Sequence, residues 1–380
     1  MTIIKKIFRF IRAKRFLYRP LVQVILSKQA LLHNVQVFKE LEPQKQIAPV
    51  LKSNAYGHGL VGVAKQLDGI QAPFLVVDSY YEALILKNEG IKTNLLVIGY
   101  TFVENIIQFS HPEIIFCITT LAQAQELSQK LKIQKRFHIK IDTGMHRQGI
   151  LPTDIPHVIE LIQKNKNIIL EGICSHLADA DTKQSELNKK QIRVWNEQSA
   201  RIKKEFPSIR YTHIEATAGT AYAHEIDANM TRIGLGLYGI DSGIDRNLNV
   251  QPVLRMESIV VGIKKIKKGE GVGYNFTYTA PHDMTIGVVP AGYFEGIPRA
   301  LSNNGYVKIK NVYCPIVGRV SMNMMSINVS QVPAIREGDT VEIISNNSND
   351  KNSIISMART VHIPYEILVK IPEKIRRVWE

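Results

Sequence analysis

Cysteine is scarce in this chain. Its 380 residues include three, Cys117, Cys174 and Cys314, far apart and odd in number. That pattern excludes a disulfide framework and a CxxC-type metal site, and it fits a reducing compartment such as the cytoplasm. Long apolar runs are missing as well. No stretch of about 18 or more uninterrupted apolar residues occurs, so no membrane-spanning helix is expected. Metal-ligand spacing is absent too: His176 and His213 stand alone in the sequence, without clustered carboxylates or thiols. No G-x-S-x-G elbow is present, which argues against a Ser-His-Asp hydrolase.

Acidic residues are missing from the first twenty positions, "MTIIKKIFRFIRAKRFLYRP", which hold seven Lys and Arg. Half of the net charge of +14 therefore sits in that segment. Ile4, Phe8 and Ile11 recur there at helical spacing, the pattern of a basic amphipathic helix touching anionic lipid. A solvated tail is the simpler reading. The basic residues break any continuous apolar core of a secretory signal. Without this tail the body is only mildly basic and carries no nucleic-acid motif.

What is present is a repeated alternation. Short β-rich runs start near 46, 74, 94, 114, 137, 170, 211 and 230, with helical patterns between them. The longest helix candidate, "SELNKKQIRVWNEQSARIKKEF", opens on a capping serine. Eight βα units in about 220 residues predict a (β/α)8 TIM barrel over 19–245, behind an extension at 1–18. After residue 245 the texture changes to alternating strands with Gly and Asn turns. A mainly β domain is expected over 246–380. Within it, "SNNSNDKNS" (345–353) reads as a solvated loop.

Barrel enzymes carry their chemistry at the C-terminal ends of the strands. Lys52 stands there after "APVL", followed by Arg147 and Lys140 in "KIDTGMHRQG", by His176, and by Arg232. A lysine at such a position can snorkel to water, or can be a desolvated nucleophilic amine. Two small-residue turns, "ATAGT" and "RIGLGLYG", fall at the same end, and their N–H groups can approach a phosphate.

The motifs together resemble alanine racemases, the pyridoxal-phosphate enzymes built from a barrel and a β domain. "VLKSNAYGHG" is similar to the family's cofactor-lysine motif. "KIDTGMHRQG", "TRIGLGLYG", "GYNFTYTA", "VVPAGYFEG", "VGRVSMNMMSINV" and the terminal "IPYEILVKIPEKIRRVWE" follow in the family's order. The resemblance implies pyridoxal 5'-phosphate held by Lys52 and a two-base interconversion of L- and D-alanine, supplying peptidoglycan. Lys52 would serve one face of the substrate and Tyr274 the other. His176 would orient Tyr274, with Arg232 behind it facing the pyridine nitrogen. Tyr56, Thr217, Gly234, Leu235 and Tyr365 would surround the phosphate. Arg147 would reach the cofactor's phenolic oxygen and the substrate. Lys140 matches a position often carbamylated in the family, or pairs with Asp142 if unmodified. The Met322 N–H would receive the substrate carboxylate, and Tyr293 and Tyr365 would narrow the entrance. In the family the second base comes from the other subunit, so a head-to-tail homodimer is implied.

Four positions depart from the family pattern: Ala216, Gly273, Asn275 and Asn323. None removes a proton-transfer group, but each bears on substrate range. A racemase for serine or larger amino acids and a non-catalytic pyridoxal-phosphate binder are the alternatives. The retained β domain and the Tyr365 gate favour a racemase acting on alanine.

Overall fold

A computed structural model describes residues 18–108, 111–182, 184–241 and 248–380. The basic extension at 1–18 lies, except for Tyr18, outside these residues. The first strand, β1 (Gln23–Leu26), is followed by eight more: β2 (Gln46–Pro49), β3 (Leu75–Val77), β4 (Leu95–Val97), β5 (Ile114–Ile118), β6 (Lys135–Lys140), β7 (Ile168–Cys174), β8 (Tyr211–His213) and β9 (Met230–Ile233). Strands β3 to β8 form one parallel sheet in sequence order, and β9 pairs in parallel with β2. A parallel bridge between Val50 and Val76 links β2 to β3. Backbone bonds from Asn229 N to Thr212 O (3.1 Å) and from Arg232 N to Glu215 O (3.3 Å) link β8 to β9. The eight strands thus close the expected barrel.

The reason is legible in burial. Every residue of β3, β4 and β5 is buried, as apolar runs covered on both faces must be. Helices fill the crossovers and start on capping side chains. Ser79 and Glu82 form a reciprocal capping box, Thr120 accepts from Gln123 N, and Ser185 starts the 20-residue helix Glu186–Glu205.

The C-terminal region is mainly β, built on β10 (Leu254–Ile259) and the strands after it. Its larger sheet also takes in β1. That strand runs antiparallel to β10 and parallel to the last strand, Arg376–Trp379. The segment 23–26, read from sequence as part of the barrel span, therefore belongs to the second sheet. Local patterning could not reveal this, because β1 pairs with strands more than 220 residues away. The polar segment 345–353 also differs from expectation. Ser345, Asp350, Asn352 and Ser353 are buried. Asp350 accepts from Ser345 Oγ (2.6 Å) and Tyr313 Oη (2.8 Å) and pairs with Lys308, while Ser353 caps the helix Ile354–Val361. Those four residues satisfy an interior, while Asn346, Asn347, Asn349 and Lys351 face water as expected.

Candidate active site

A pocket of ≈ 710 Å³ opens at the C-terminal ends of the barrel strands. Lys52, Tyr56, Lys140, Arg147, His176, Thr217, Arg232, Gly234, Leu235 and Tyr365 all line it. Ten of the thirteen residues singled out in the sequence therefore meet at one place. The other three, Tyr274, Tyr293 and Met322, do not line it. They lie on the β domain, 69%, 46% and 55% exposed.

Lys52 does not end a strand. It stands beyond β2 and opens a turn in which Ser53, Asn54, Ala55 and Tyr56 all have positive φ, between 51° and 56°. A left-handed turn costs an L-residue roughly 1–2 kcal/mol per position, so the surroundings must hold it. Glu82 Oε1 accepts from Ser53 N (2.7 Å), and Asn54 Oδ1 accepts from Leu60 N (2.8 Å). Arg377, on the last strand, donates to Gly57 O through Nε (3.0 Å) and a terminal N–H (2.7 Å). Gly57 itself must be glycine: its φ is +79°, and an added Cβ would stand 1.9 Å from the Leu368 carbonyl oxygen. The turn presents a half-buried Lys52 to the pocket. Burial lowers its pKa, Asp78 opposes the shift, and Arg147, Lys140 and Arg232 add to it. A lysine with a depressed pKa is a better nucleophile and base near neutral pH.

Arg232 is buried and unusually well held. One terminal nitrogen donates to His213 Nδ1 and to His213 O (2.9 Å); the other donates to Ser175 O (2.7 Å), Ile214 O (3.1 Å) and, at 3.4 Å, His176 Nδ1. These acceptors occupy the terminal N–H groups and leave Nε–H for a group in the pocket. His213 is thus not alone: it joins Arg232 to His138, Nε2 to Nδ1, at 2.9 Å. Burial, then the cations Arg232, Arg147, Lys140 and Lys52, push His176 down to about 3. It is neutral at physiological pH. Because Nδ1 faces a donor, its proton sits on Nε2.

The opposite wall is an anion cradle. Gly234 N and Gly236 N both donate to Thr217 Oγ1 at 3.2 Å. The Tyr56 hydroxyl is so close to Gly234 that an added Cβ there would lie 2.7 Å from it. Tyr56 is held in turn by the rings of Tyr238 (5.2 Å) and Tyr365 (5.6 Å). Lys52, Lys140, Arg147 and Arg232 surround the pocket with positive charge. A flat ring bearing a carbonyl, a ring nitrogen and a phosphate fits this set: an amine for the carbonyl, a guanidinium for the nitrogen, and the Thr217 and Tyr56 hydroxyls beside the Gly234–Leu235 turn for the phosphate. Lys140 Nζ bonds Gln148 Oε1 (2.7 Å) and Ile98 O (3.3 Å). The alternative pairing with Asp142 is not formed. That carboxylate instead accepts from Gly144 N (2.9 Å) and His146 N (3.1 Å), tightening its own turn.

The three residues outside the pocket occupy neighbouring segments. Phe294 N donates to Met322 O (2.9 Å), and Tyr293 N to Ser321 O (3.0 Å). Gly273, before Tyr274, packs against Arg319 and Gly318. Asn323 donates to Glu295 Oε1 (3.0 Å) within the same surface. Sequence reading missed His138, Glu171 and Cys174, which lie inside or beside the site. A signal existed for one of them: His138 and Lys140, two apart on one strand, share a face.

Comparison with known proteins agrees with the architecture. The family description "Alanine racemase, N-terminal domain" matches residues 26–242, and "Alanine racemase, C-terminal domain" matches 253–379. Alanine racemase 1 of Clostridium acetobutylicum is 32% identical over 356 residues, covering 91% of this chain and 92% of that protein. The alanine racemase of Fusobacterium nucleatum is 33% identical over 358 residues, covering 93% and 98%. Among solved structures, an alanine racemase of Clostridium difficile 630 superposes with a TM-score of 0.87 at 29% identity, covering 96% of each chain. With both domains matched in order and the pocket assembled from their motifs, the chain belongs to the alanine racemase family.

Proposed function

We propose that the protein interconverts L- and D-alanine with pyridoxal 5'-phosphate bound in the barrel pocket. The observation that carries this is the convergence of Lys52, Arg232 and the Thr217–Gly234–Leu235 turn on one cavity. When bound, the cofactor withdraws electrons from the substrate Cα and so makes its proton removable. The remaining work falls to side chains.

Lys52 Nζ takes or returns the Cα proton on one face, helped by its lowered pKa. Arg232 holds Nε–H toward the ring nitrogen. A guanidinium donates and does not give up its proton near neutral pH, so a ring nitrogen held there would stay unprotonated and its electron withdrawal modest. This favours return of the proton over side reactions. Thr217, Tyr56 and the Gly234–Leu235 turn would hold the phosphate. Arg147, at the mouth, meets the phenolic oxygen and the substrate carboxylate. Tyr365 limits the side chain admitted. Lys140 is the candidate for carbamylation, in which its amine adds carbon dioxide, loses a proton and becomes an anion near Arg147.

The second base must come from outside this pocket, since Tyr274 is exposed elsewhere in its own chain. In a head-to-tail homodimer the partner subunit's Tyr274 serves the other face. The partner subunit's Met322 N–H and the partner subunit's Tyr293 complete the substrate site. A free phenol has a pKa of about 10. His176, with its proton on Nε2, donates to the tyrosine oxygen and favours the phenolate. A cytoplasmic enzyme supplying D-alanine to the cell wall follows from this reading.

The test is a chiral assay of purified protein with L-alanine and pyridoxal phosphate, beside Lys52→Ala. D-alanine should form and should disappear in the variant. A protein that binds the cofactor at Lys52 yet forms no D-alanine would overturn the reading in favour of a carrier. Faster turnover of serine than of alanine would overturn the substrate assignment.

A further inference from the structure

The barrel interior contains a polar chain that the mechanism above does not use. It runs from Arg232 through His213 and His138 to Glu171 and ends at Arg136. His138 and His213 are fully buried, and Glu171 is nearly so. His138 Nε2 and Glu171 Oε1 face each other at 3.8 Å, and neither has a hydrogen-bond partner among the described residues. The other carboxylate oxygen of Glu171 takes Arg136 at 3.4 Å.

We propose that Glu171 and His138 are positioning residues for Arg232: acting through His213, they fix the tautomers of both buried histidines and so keep an acceptor in front of the guanidinium. The argument is one of donors and acceptors. Arg232 has only donors, so His213 Nδ1 must be bare. A neutral His213 then carries its proton on Nε2 and donates it across 2.9 Å to His138 Nδ1. That nitrogen is bare in turn, and the His138 proton sits on Nε2, facing the carboxylate. Burial and then the Arg232 cation push His213 well below its ordinary range. Burial also lowers His138, against the pull of Glu171. Burial pushes the Glu171 carboxyl up, but His138 and Arg136 together hold it below its usual range, so it is ionised and accepts only. The pure donor at one end admits only one proton arrangement of two neutral imidazoles, and that arrangement turns the His138 N–H toward the carboxylate 3.8 Å away, which favours it electrostatically. The reverse arrangement sets N–H against N–H at Arg232 and lone pair against carboxylate at Glu171.

Two backbone features make room for this row. The pairing of β6 with β7 slips between Phe137 and His138, leaving Glu171 as the unpaired extra residue. A bulge of this kind re-aims the side chain it carries. The next residue is Gly172, where an added Cβ would lie 2.5–2.6 Å from three atoms of the His138 ring. Phe74 packs edge-on against the same ring at 5.4 Å.

The reach of this row into catalysis rests on the racemase reading, but the tautomers do not. The experiment is 15N NMR of histidine-labelled holoenzyme. In the wild type, His138 and His213 should both show a protonated Nε2 and a bare Nδ1 at neutral pH. Glu171→Gln supplies an amide that can donate as well as accept, so Arg232 alone then sets the row and a minor population of the reverse tautomers should appear. Gly172→Ala should do the same by displacing the His138 ring. In both variants kcat for alanine should fall about 10-fold, the size typical of groups supporting a ligating imidazole, with KM unchanged. A wild-type His213 protonated on Nδ1, or on both nitrogens, would overturn the proposal whether or not the variants fold. Unchanged tautomers and kcat in both variants would overturn it as well. Tautomers as stated in a protein without racemase activity would uphold the row and discard the functional reading.

Discussion

The barrel mouth and the exposed face of the β domain carry the two halves of one proposed site in opposite physical states. At the mouth, side chains are buried and held by several bonds each. Arg232 alone has five acceptors within 3.4 Å, and the Lys52 turn is clamped by Glu82, Asn54 and Arg377. On the β domain, Tyr274, Tyr293 and Met322 stand open to solvent. One half is preorganised by its own fold, and the other waits for a surface to cover it. Cofactor binding should therefore be a property of the single chain, and catalysis a property of the pair.

Tyr274→Phe should break this comparison most strongly. Loss of one acid–base group costs about 10²–10⁴-fold in kcat, while cofactor affinity, measured by absorbance titration, should not change. A matching loss of affinity would place Tyr274 in the cofactor pocket and contradict the division. Thr217→Val works in the opposite direction. It removes the acceptor shared by Gly234 N and Gly236 N and costs about 1–3 kcal/mol. Weaker cofactor binding and a lower Tm should follow, with the dimer intact by sedimentation.

The barrel should also respond to pH. His58 and His176 have pKa values lowered to about 4 and about 3, burial being the first cause of each. Unfolded histidine takes up a proton near about 6.5, so below that pH the unfolded chain binds more protons than the folded one. Stability is then complete above about 6.5 and declines as pH falls toward the folded values. Denaturant midpoints at pH 7.5 and pH 5 should show the decline. His176→Asn should make it shallower, since His58, His138 and His213 still contribute, and an equal slope in that variant would count against neutral His176.

The two regions also differ in how far the sequence discloses them. All eight barrel strands could be located: β3, β4 and β5 are unbroken apolar runs buried on both faces, and the others, such as β6 and β8, are β-rich runs recurring at the same βα period. Lys52, Lys140, Arg147, His176 and Arg232 could be found because they stand at or just beyond strand ends, whereas Tyr56, Thr217, Gly234, Leu235 and Tyr365 were legible only through the family resemblance. Other features left no local trace. The left-handed turn after Lys52 depends on Glu82 and Arg377, which are 29 and 320 residues from the atoms they hold. The row from Arg232 to Glu171 depends on a register slip between β6 and β7. The placement of β1 in the second sheet depends on its partners at both sides. For Tyr274 the residue itself was legible, but its distance from the pocket is a matter of tertiary structure.

The shared site can be tested by complementation between two inactive variants, Lys52→Ala and Tyr274→Phe, co-expressed in one cell. In a mixed dimer, one site inherits both lesions and the other keeps both native groups. Random pairing should restore about a quarter of wild-type activity, since half the dimers are mixed and each has one intact site. Activity no higher than that of either variant alone, in dimers shown by mass to be mixed, would contradict the account.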